Sequence, residues 1–311
     1  MDALDRRVVL VVRHTRLEDL IVRFNTVEQA RFYIEHLGAD FSDYEREHRT
    51  YQEAIRMTEA TLRRFGRVQR LDRTLLPNFL FAPDASIVVL GQDGLVANTL
   101  KYLDGQPVIG VNPDPARWDG VLLPFEVPDL AKVVPEALSG KRERKHITMA
   151  HAKLSDGQEL LAVNDIFIGA KSHVSARYEI RLGERVETHS SSGVIVSTGL
   201  GSTGWFRSLL TGAAGISGHN LDKQHEDLRE HGFAWDADHL FFTVREPFPS
   251  LVTQTGLVFG QVQQNAPLRI VSQMAGYGVI FSDGVEADFL EFNSGMTATI
   301  DIAKHEGRLV T

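Results

Sequence analysis

Short continuous apolar runs alternate with helical patterns in the first half of the chain. Residues 8–12 are all valine or leucine, which is typical of a strand buried on both faces. Over residues 42–66, apolar side chains recur at spacings of three and four or their sums, predicting a long helix that ends at a glycine. Residues 87–90, a Gly-Gln-Asp-Gly turn, a helical run to about Tyr102 and residues 107–111 follow in the order strand, turn, helix, strand. This order predicts a parallel βαβ unit.

The pattern changes in the second half. Residues 141–145 are all charged and are expected to form a solvated connection. Residues 177–182 and 297–302 alternate strictly between polar and apolar, which predicts half-exposed antiparallel strands. Further strand candidates between them are residues 240–244, 251–262, 268–272 and 278–282. Residues 212–238, rich in glycine, histidine and charge, are expected to form a mobile insertion with one short helix near 221–231.

Composition narrows the class of protein. The 311 residues carry a net charge of −8 and no strongly basic run, which argues against a nucleic-acid partner. The absence of cysteine removes a disulfide framework, a thiolate zinc site and a cysteine nucleophile. The apolar runs are about five residues long, far below the roughly 20 that span a bilayer, and the first begins close to the initiator methionine. We therefore expect a cytoplasmic protein without a membrane partner.

The turn Gly91-Gln92-Asp93-Gly94 is the sharpest candidate for chemistry. It follows a predicted buried strand and opens a helix, where backbone N–H groups favour a phosphate. An aspartate here would repel phosphate, but it suits a hydroxyl group that attacks phosphorus. The alternative is a tight turn whose aspartate only caps the helix.

Two other groups suit a nucleotide. Residues 190–205 lead from a buried strand into a loop of glycines and hydroxyl residues that ends on Trp205, a composition able to surround a polar ring and a ribose. Asn164-Asp165 lies between two apolar runs and suits vicinal hydroxyls or an amide-bearing base. The alternatives are a hairpin loop for the first and an Asx turn for the second.

The histidines do not form a recognisable metal motif. His219, His225, His231 and His239 lack the i, i+4 spacing of helical zinc ligands, so no metal-binding residue is assigned. The sequence also lacks the Gly-x-Ser-x-Gly elbow of the serine hydrolases around Ser202.

In order and spacing, the three groups together resemble the NAD kinases. That family carries a Gly-Gly-Asp-Gly-Thr turn, an Asn-Glu pair and a loop ending in Gly-Ser/Thr-Thr-Ala-Tyr, which are similar to residues 91–95, 164–165 and 201–205. The mitochondrial-type branch is the more similar one: residues 110–117 (GVNPDPAR) look like its GVNTDPER, and residues 164–169 (NDIFIG) look like its NEVFIG. The resemblance covers most of the chain.

The resemblance implies an enzyme that transfers a phosphoryl group from ATP or another phosphate donor, with Mg²⁺, to the 2′-hydroxyl of the adenosine ribose of NAD, giving NADP. It implies the NAD kinase/diacylglycerol kinase-like fold, an α/β plus all-β arrangement. The expected domains are an N-terminal Rossmann-like α/β domain over residues 1–140, joined by a segment of about 290–311, and a β-rich, sandwich-like NAD-binding domain over 141–289. A homodimer or higher homo-oligomer is also implied.

The resemblance also assigns roles to residues. Asp93 would be the general base or hydroxyl-orienting carboxylate, and Gly91, Gln92 and Gly94 would form the phosphate turn. The residues expected to bind NAD are Asn164, Asp165, Thr203, Gly204, Trp205 and Ser208.

Two departures from the family pattern suggest alternatives. Gln92 replaces a glycine and is expected to be forced to positive φ or to crowd the phosphates. Leu95 replaces a threonine and removes a hydroxyl. These changes favour a catalytically weak or inactive NAD(P)-binding relative. A kinase of a lipid or sugar hydroxyl is a further alternative, because lipid kinases carry a related Gly-Gly-Asp-Gly turn.

Overall fold

The computed structural model of the chain describes residues 6–218 and 220–311. They form two compact units: residues up to Lys145 together with Arg308–Thr311, and residues His146–Gly307. His219, one of the histidines considered above, lies outside the described residues.

The helices and strands are numbered in chain order. The helices are α1 (Arg16–Phe24), α2 (Val27–His36), α3 (Ser42–Leu62), α4 (Asp93–Leu100), α5 (Leu130–Leu138), α6 (Trp205–Ile216) and α7 (Lys223–His231). The strands are β1 (Arg7–Val12), β2 (Arg67–Asp72), β3 (Ser86–Leu90), β4 (Pro107–Asn112), β5 (Phe125–Glu126), β6 (Arg144–Ile147), β7 (Ala150–Leu154), β8 (Glu159–Ala162), β9 (Asp165–Ala170), β10 (Ala176–Leu182), β11 (Arg185–Ser191), β12 (Val194–Ser197), β13 (His239–Val244), β14 (Phe259–Gln263), β15 (Leu268–Ser272), β16 (Gly278–Ser282), β17 (Val285–Glu291), β18 (Thr297–Ile302) and β19 (Gly307–Val310).

The first unit is built on a mainly parallel sheet in the order β2-β1-β3-β4-β19-β6, with β5 paired to β4. Strands β1, β3 and β4 are buried along nearly their whole length, as their continuous apolar runs predict. Strand β2, which follows β1 in the chain, lies on one side of the adjacent pair β1 and β3, and β4, which follows β3, lies on the other side. The carboxyl ends of β1 and β3 are therefore a topological switch point, the place where open α/β sheets bind ligands.

A buried tyrosine of α3 ties these two strand ends together. The Tyr51 hydroxyl donates to the carbonyl of Leu90, at the end of β3, at 2.7 Å. It accepts from the backbone N–H of Arg13, just after β1, at 3.0 Å. Burial raises the pKa of this phenol to about 12, so it stays a hydrogen-bond donor across the physiological range.

The second unit is a sandwich of two antiparallel sheets, in the orders β11-β10-β15-β18-β7-β8 and β14-β13-β12-β9-β16-β17. One apolar core lies between them and takes side chains from both, such as Tyr178 and Ile300 from the first and Ile168 and Phe242 from the second. The strict alternation of residues 177–182 and 297–302 puts every second side chain into this core. The predicted α/β plus β-rich, sandwich-like fold is confirmed.

Several local predictions differ from the structure. The charged run contributes Arg144 and Lys145 to β6, at the edge of the first sheet. The predicted strand over 251–262 is wrong before Phe259: residues 251–257 are irregular, and Gln254 makes an isolated backbone hydrogen bond to Thr188 of β11. The predicted insertion begins inside α6, which runs to Ile216. The C-terminal return is shorter than the sequence predicts, since β17 and β18 pair within the sandwich and β19 alone joins the first sheet.

The described residues contain no helix that is both long and apolar enough to cross a membrane.

Candidate functional site

The Gly91-Gln92-Asp93-Gly94 turn lies at the switch point of the first unit, directly after β3 and at the start of α4. The expectation of a positive φ at Gln92 is wrong: its φ and ψ are −120° and 163°, ordinary extended backbone. The close packing in this turn is at Gly91 instead. A Cβ atom there would lie 2.8 Å from Cδ2 of the buried Leu95, so the leucine side chain fills the space beside the turn and would have to move.

The carboxylate of Asp93 is held at one oxygen. Its Oδ1 accepts a hydrogen bond from the backbone N–H of Leu122 at 2.7 Å. Leu122 belongs to a loop that folds back onto β4, where a Cβ on Gly110 would lie only 2.0 Å from the Leu122 carbonyl oxygen. Among residues 6–218 and 220–311, no hydrogen bond is recorded for the second oxygen, which the half-exposed side chain leaves available to a ligand.

The arginine of the GVNPDPAR segment has a structural partner. Arg117 donates to the carboxylate of Asp43, at the start of α3, with its shorter contact at 2.6 Å. Arg16 and Arg46 bind the same carboxylate, and these hydrogen bonds, led by that of Arg117, hold the pKa of Asp43 well below its usual range. This segment therefore fixes the loop after β4 against α3.

In the second unit, Asp283 organises the Asn164-Asp165 pair. Its carboxylate accepts the backbone N–H groups of Val163, Asn164 and Asp165 at 2.6 to 3.3 Å. Asp283 lies in the turn between β16 and β17 with a φ of 54°, a left-handed conformation that aspartate tolerates better than most residues. One side chain thus satisfies three consecutive backbone donors where β8 gives way to β9.

Asp165 is itself a buried carboxylate, with 7 % of its surface exposed. Burial, and secondarily the charge of Asp283, raise its pKa to about 7 from an ordinary value of 3.8. No hydrogen bond to its carboxylate is recorded in the described part of the chain. A buried acid without a partner is a functional-site candidate, because a bound hydroxyl would supply the missing hydrogen bond.

The glycine-rich loop packs directly on this pair. The Thr198 hydroxyl donates to the Val163 carbonyl at 2.6 Å and accepts from the Gly201 N–H at 3.1 Å. A Cβ atom on Gly201 would lie 2.0 Å from the Asn164 carbonyl oxygen, so only glycine allows the approach. The structure therefore brings together the Asn-Asp pair and the loop of residues 198–204, two groups that the sequence separates by about 35 positions.

The remaining predicted NAD-binding residues lie at the end of the same loop and in the first turn of α6. Thr203, Gly204 and Ser208 are exposed at the start of α6, and Trp205 is half-buried. Ser208 donates from its hydroxyl to the Gly204 carbonyl at 3.3 Å. Asp93, Gly91, Gln92 and Gly94 lie in the first unit, whereas these residues and Asn164-Asp165 lie in the second.

Three of the histidines considered above pair with neighbouring aspartates: His225 with Asp222 at 2.7 Å, His231 with Asp227 at 3.1 Å and His239 with Asp238 at 3.1 Å. Within the described ranges, no group of three or more His, Asp or Glu side chains could hold a metal ion.

Sequence reasoning missed two residues of the candidate site. Leu122 acts through its backbone N–H, which leaves no signal in residue type. Asp283 could have been suspected from the Asp-Gly dipeptide between two strand patterns, which predicts a hairpin turn. That dipeptide does not indicate that the carboxylate reaches residues about 120 positions away.

Part of the chain is similar to curated proteins named NAD kinase. The chain is 35 % identical over 127 residues to an NAD kinase of Heliobacterium modesticaldum. The aligned stretch covers 38 % of this chain and 44 % of the relative. The chain is 32 % identical over 127 residues to an NAD kinase of Burkholderia multivorans, covering 38 % and 41 %. The chain is thus aligned to less than half the length of these curated relatives. No protein-family model matches it.

Solved structures show the fold over nearly the whole chain. An NAD kinase from Archaeoglobus fulgidus, in complex with ATP, superposes with a TM-score of 0.59 at 16 % identity and covers 98 % of this chain and 93 % of its own. Yeast NADH kinase, complexed with NADH, gives a TM-score of 0.56 at 15 % identity and covers 99 % and 84 %. The fold is that of the NAD kinases.

The close approach at Gly201 predicts the effect of adding one methyl group. We expect Gly201→Ala to destabilise the protein by about 1–3 kcal/mol, because the methyl would meet backbone that cannot rotate away. Urea unfolding followed by circular dichroism measures this. Gly212→Ala in α6 is the matched control: no atom lies within 4 Å of its Cβ position. That change should stabilise the helix by about 0.5–1 kcal/mol; equal effects of the two substitutions would contradict the packing described.

The raised pKa of Asp165 predicts a pH-dependent stability. Between pH 3.8 and about 7 the folded protein keeps a proton at Asp165 that the unfolded chain releases, so this group lowers stability as pH rises through that window. The free energy of unfolding of Asp165→Asn, which stays uncharged, should therefore rise relative to that of the wild type by roughly 1–3 kcal/mol from pH 5 to pH 8. Urea unfolding at each pH tests this against the exposed Asp236→Asn, for which no such gain is expected. A difference between Asp165→Asn and wild type that stays constant with pH would refute the buried-acid interpretation.

Proposed function

We propose that this protein is an NAD kinase, transferring a phosphoryl group from ATP or another phosphate donor to the 2′-hydroxyl of the adenosine ribose of NAD. The observation that carries the proposal is the Asp93 carboxylate, which stands at the switch point with one oxygen fixed by Leu122 and the other available. The curated relatives named NAD kinase support it, as does the fold.

The reaction asks little covalent chemistry of the chain. The 2′-oxygen forms a bond to the γ-phosphorus, the bond from that phosphorus to the bridging oxygen breaks, and ADP leaves with its electron pair. Asp93 orients the hydroxyl and accepts its proton, and the Leu122 N–H keeps the carboxylate in one orientation. The N-terminus of α4, with Gly91, Gln92 and Gly94, favours the negative charge of the phosphates.

The second unit provides the dinucleotide site in this proposal. Asn164 and Asp165 bind ribose hydroxyls. Because the pKa of Asp165 is about 7, its carboxyl group is present in both protonated and ionised forms near neutral pH and can donate or accept a hydrogen bond. Thr203, Gly204, Trp205 and Ser208 line the base and ribose pocket at the start of α6. Gly201 and Thr198 set the distance between these two groups.

Mg²⁺ is implied by the activity, and the donor set fits an ion that arrives with ATP. Mg²⁺ usually keeps several waters and is bound largely through substrate phosphates, so no protein ligand is assigned to it and Asp93 keeps its free oxygen for the hydroxyl group. When bound, the ion would neutralise charge on the transferring group.

The finer assignments belong to the same proposal. Residues 110–117 and 164–169 favour the mitochondrial-type branch of the NAD kinases. We also propose a cytoplasmic homodimer or higher homo-oligomer; sedimentation analysis of the purified protein tests the assembly.

The proposal predicts NADP formation that depends on the charge of Asp93. Purified protein with ATP, Mg²⁺ and NAD should yield NADP, detected with an NADP-specific dehydrogenase. Asp93→Asn should lower kcat/KM by about 10²–10⁴-fold, because the amide oxygen can still accept the Leu122 N–H but cannot take a proton.

Asp84→Asn, at an exposed aspartate in the turn before β3, is the matched control and should keep full activity. Absence of NADP with the wild type would refute the proposal, as would full activity of Asp93→Asn. Tight NAD(P) binding without turnover would instead identify the non-catalytic relative. Turnover of a lipid or sugar alcohol but not of NAD would identify the third alternative.

A further inference from the structure

The carboxylate of Asp93 takes its orientation from a loop. The Leu122 N–H holds one oxygen of Asp93 at 2.7 Å, and Leu122 is the last residue of the irregular segment 113–122 after β4. We call this segment the β4 loop. A hydrogen bond from a loop positions a side chain only as well as the loop itself is held. The orientation of Asp93 therefore depends on what fixes the β4 loop.

The side chain of Asn112, at the end of β4, shapes the loop from within. Its amide donates to the Trp118 carbonyl at 2.8 Å, and its oxygen accepts the Asp114 N–H at 3.0 Å. The N–H groups of Arg117 and Trp118 both bond to the Asp114 carbonyl, at 3.0 and 3.1 Å. All these bonds lie within residues 112–118, so they form the turn without attaching it to another element.

The ion pair of Arg117 with Asp43 attaches the β4 loop to α3. The two terminal nitrogens of Arg117 donate to different oxygens of the Asp43 carboxylate, at 3.1 and 2.6 Å. Paired contacts of this kind fix orientation as well as distance. The pKa of Asp43 is held well below its usual range, first by the hydrogen bond from Arg117, so the pair stays ionised at neutral pH.

Asp43 also reaches the opposite side of the phosphate turn. In the sheet, β3 lies between β1 and β4, and the turn follows β3. Asp43 binds Arg16, in the segment after β1, as well as Arg117, in the loop after β4, each at 2.6 Å. Further along α3, the Tyr51 hydroxyl donates to the carbonyl of Leu90 at the end of β3. One helix thus links the segments on both sides of the turn to the turn itself.

We propose that the Asp43–Arg117 pair positions the carboxylate of Asp93 for phosphoryl transfer, acting through the β4 loop and the N–H of Leu122. Asp43 and Arg117 are positioning residues, which do not touch the reacting atoms. Without the pair the loop keeps its turn around Asn112 but shifts, and a displacement of about 1 Å at a reacting group can lower a rate by about 10²-fold. The inference rests on the proposed function and adds to it two residues to which the sequence assigns no role.

Arg117→Gln tests this role with little disturbance of the fold. Glutamine cannot form the paired contact, whereas Asp43 keeps Arg16 and Arg46 as partners. We expect kcat for NADP formation to fall about 10- to 100-fold, with KM for NAD and for ATP changed by less than about twofold, because the pair does not bind substrate. A large rise in KM for ATP would identify Arg117 as a ligand of the donor and would overturn the proposal.

Glu45→Gln is the matched control. Glu45 lies on the same helix and pairs with Arg31 of α2 at 2.7 Å, so its replacement removes an ion pair of α3 that does not reach the β4 loop. This variant should keep the kcat and KM of the wild type. Equal losses of kcat in Glu45→Gln and Arg117→Gln would overturn the proposal, because any weakening of α3 would then have the same effect.

A double-mutant cycle separates positioning from a purely structural role. If Arg117 acts only through the carboxylate of Asp93, its loss should matter little once that carboxylate is gone. In an Asp93→Asn background we therefore expect Arg117→Gln to lower kcat by less than about twofold. The same 10- to 100-fold loss in both backgrounds would overturn the proposal, since independent effects add as free energies.

Tryptophan fluorescence follows the β4 loop without turnover. In a chain carrying Trp205→Phe and Trp235→Phe, Trp118 is the one remaining tryptophan of three. Its Stern–Volmer constant for acrylamide should rise in Arg117→Gln and in Asp43→Asn, because both changes release the loop. Unchanged quenching in these two variants would overturn the proposal.

The outcomes distinguish the inference from the proposed function. If the wild type forms no NADP, the proposed function fails and the positioning role fails with it. If the wild type forms NADP and Arg117→Gln keeps its kcat, the positioning role alone fails.

Discussion

The candidate site of the second unit depends on one carboxylate, that of Asp283. Its oxygens take the three N–H groups at the junction of β8 and β9, which would otherwise be buried without partners. Because those donors are satisfied from one side, the carbonyls of Val163 and Asn164 are free to meet Thr198 from the other. Burial, together with the negative charge of Asp283, raises the pKa of Asp165 to about 7, so the group is close to half-ionised at neutral pH. One hairpin turn therefore fixes the backbone geometry of the junction, and its charge adds to the larger effect of burial on the pKa of Asp165.

The two candidate acids stand in different physical situations. Asp93 is half-exposed, and a backbone donor fixes one of its oxygens, so its position rather than its burial suits it to orient a hydroxyl. Asp165 is buried, and no hydrogen bond to its carboxyl group is recorded among the described residues. Its protonation state therefore depends on any hydrogen-bonding group that approaches it. The proposed function therefore gives positioning to Asp93 and recognition to Asp165, two carboxylates of opposite character, one in each unit.

The sequence predicts the parts of the fold in which side-chain period and burial agree. The buried runs that became β1, β3 and β4, the long helix α3 and the alternating strands β10 and β18 were all predictable, as was the turn carrying Asp93. Helices α1 and α2 were not predicted, and the strand expected over 251–258 is absent, since apolar residues there do not form a continuous ladder with a neighbouring strand. Contacts between distant residues, such as Leu122 with Asp93 and Asp283 with Asn164, depend on topology and leave no local pattern. A glycine in the resembled motif suggests a positive φ at Gln92, but Gln92 has extended backbone, and the glycine packed closely against Leu95 is Gly91.

The Phe167 ring of β9 packs against Gly169 and Gly193, which has a consequence for how this sequence can diverge. While the ring is present, neither glycine can acquire a methyl group without a clash. A smaller residue at 167 would relieve the clash at Gly169, whereas Gly193 would stay constrained by the Ile168 carbonyl oxygen, 2.8 Å from its Cβ position, and by its φ of +108°. Positions 167 and 169 should therefore vary together among descendants of this chain, whereas position 193 should stay glycine whatever residue occupies position 167.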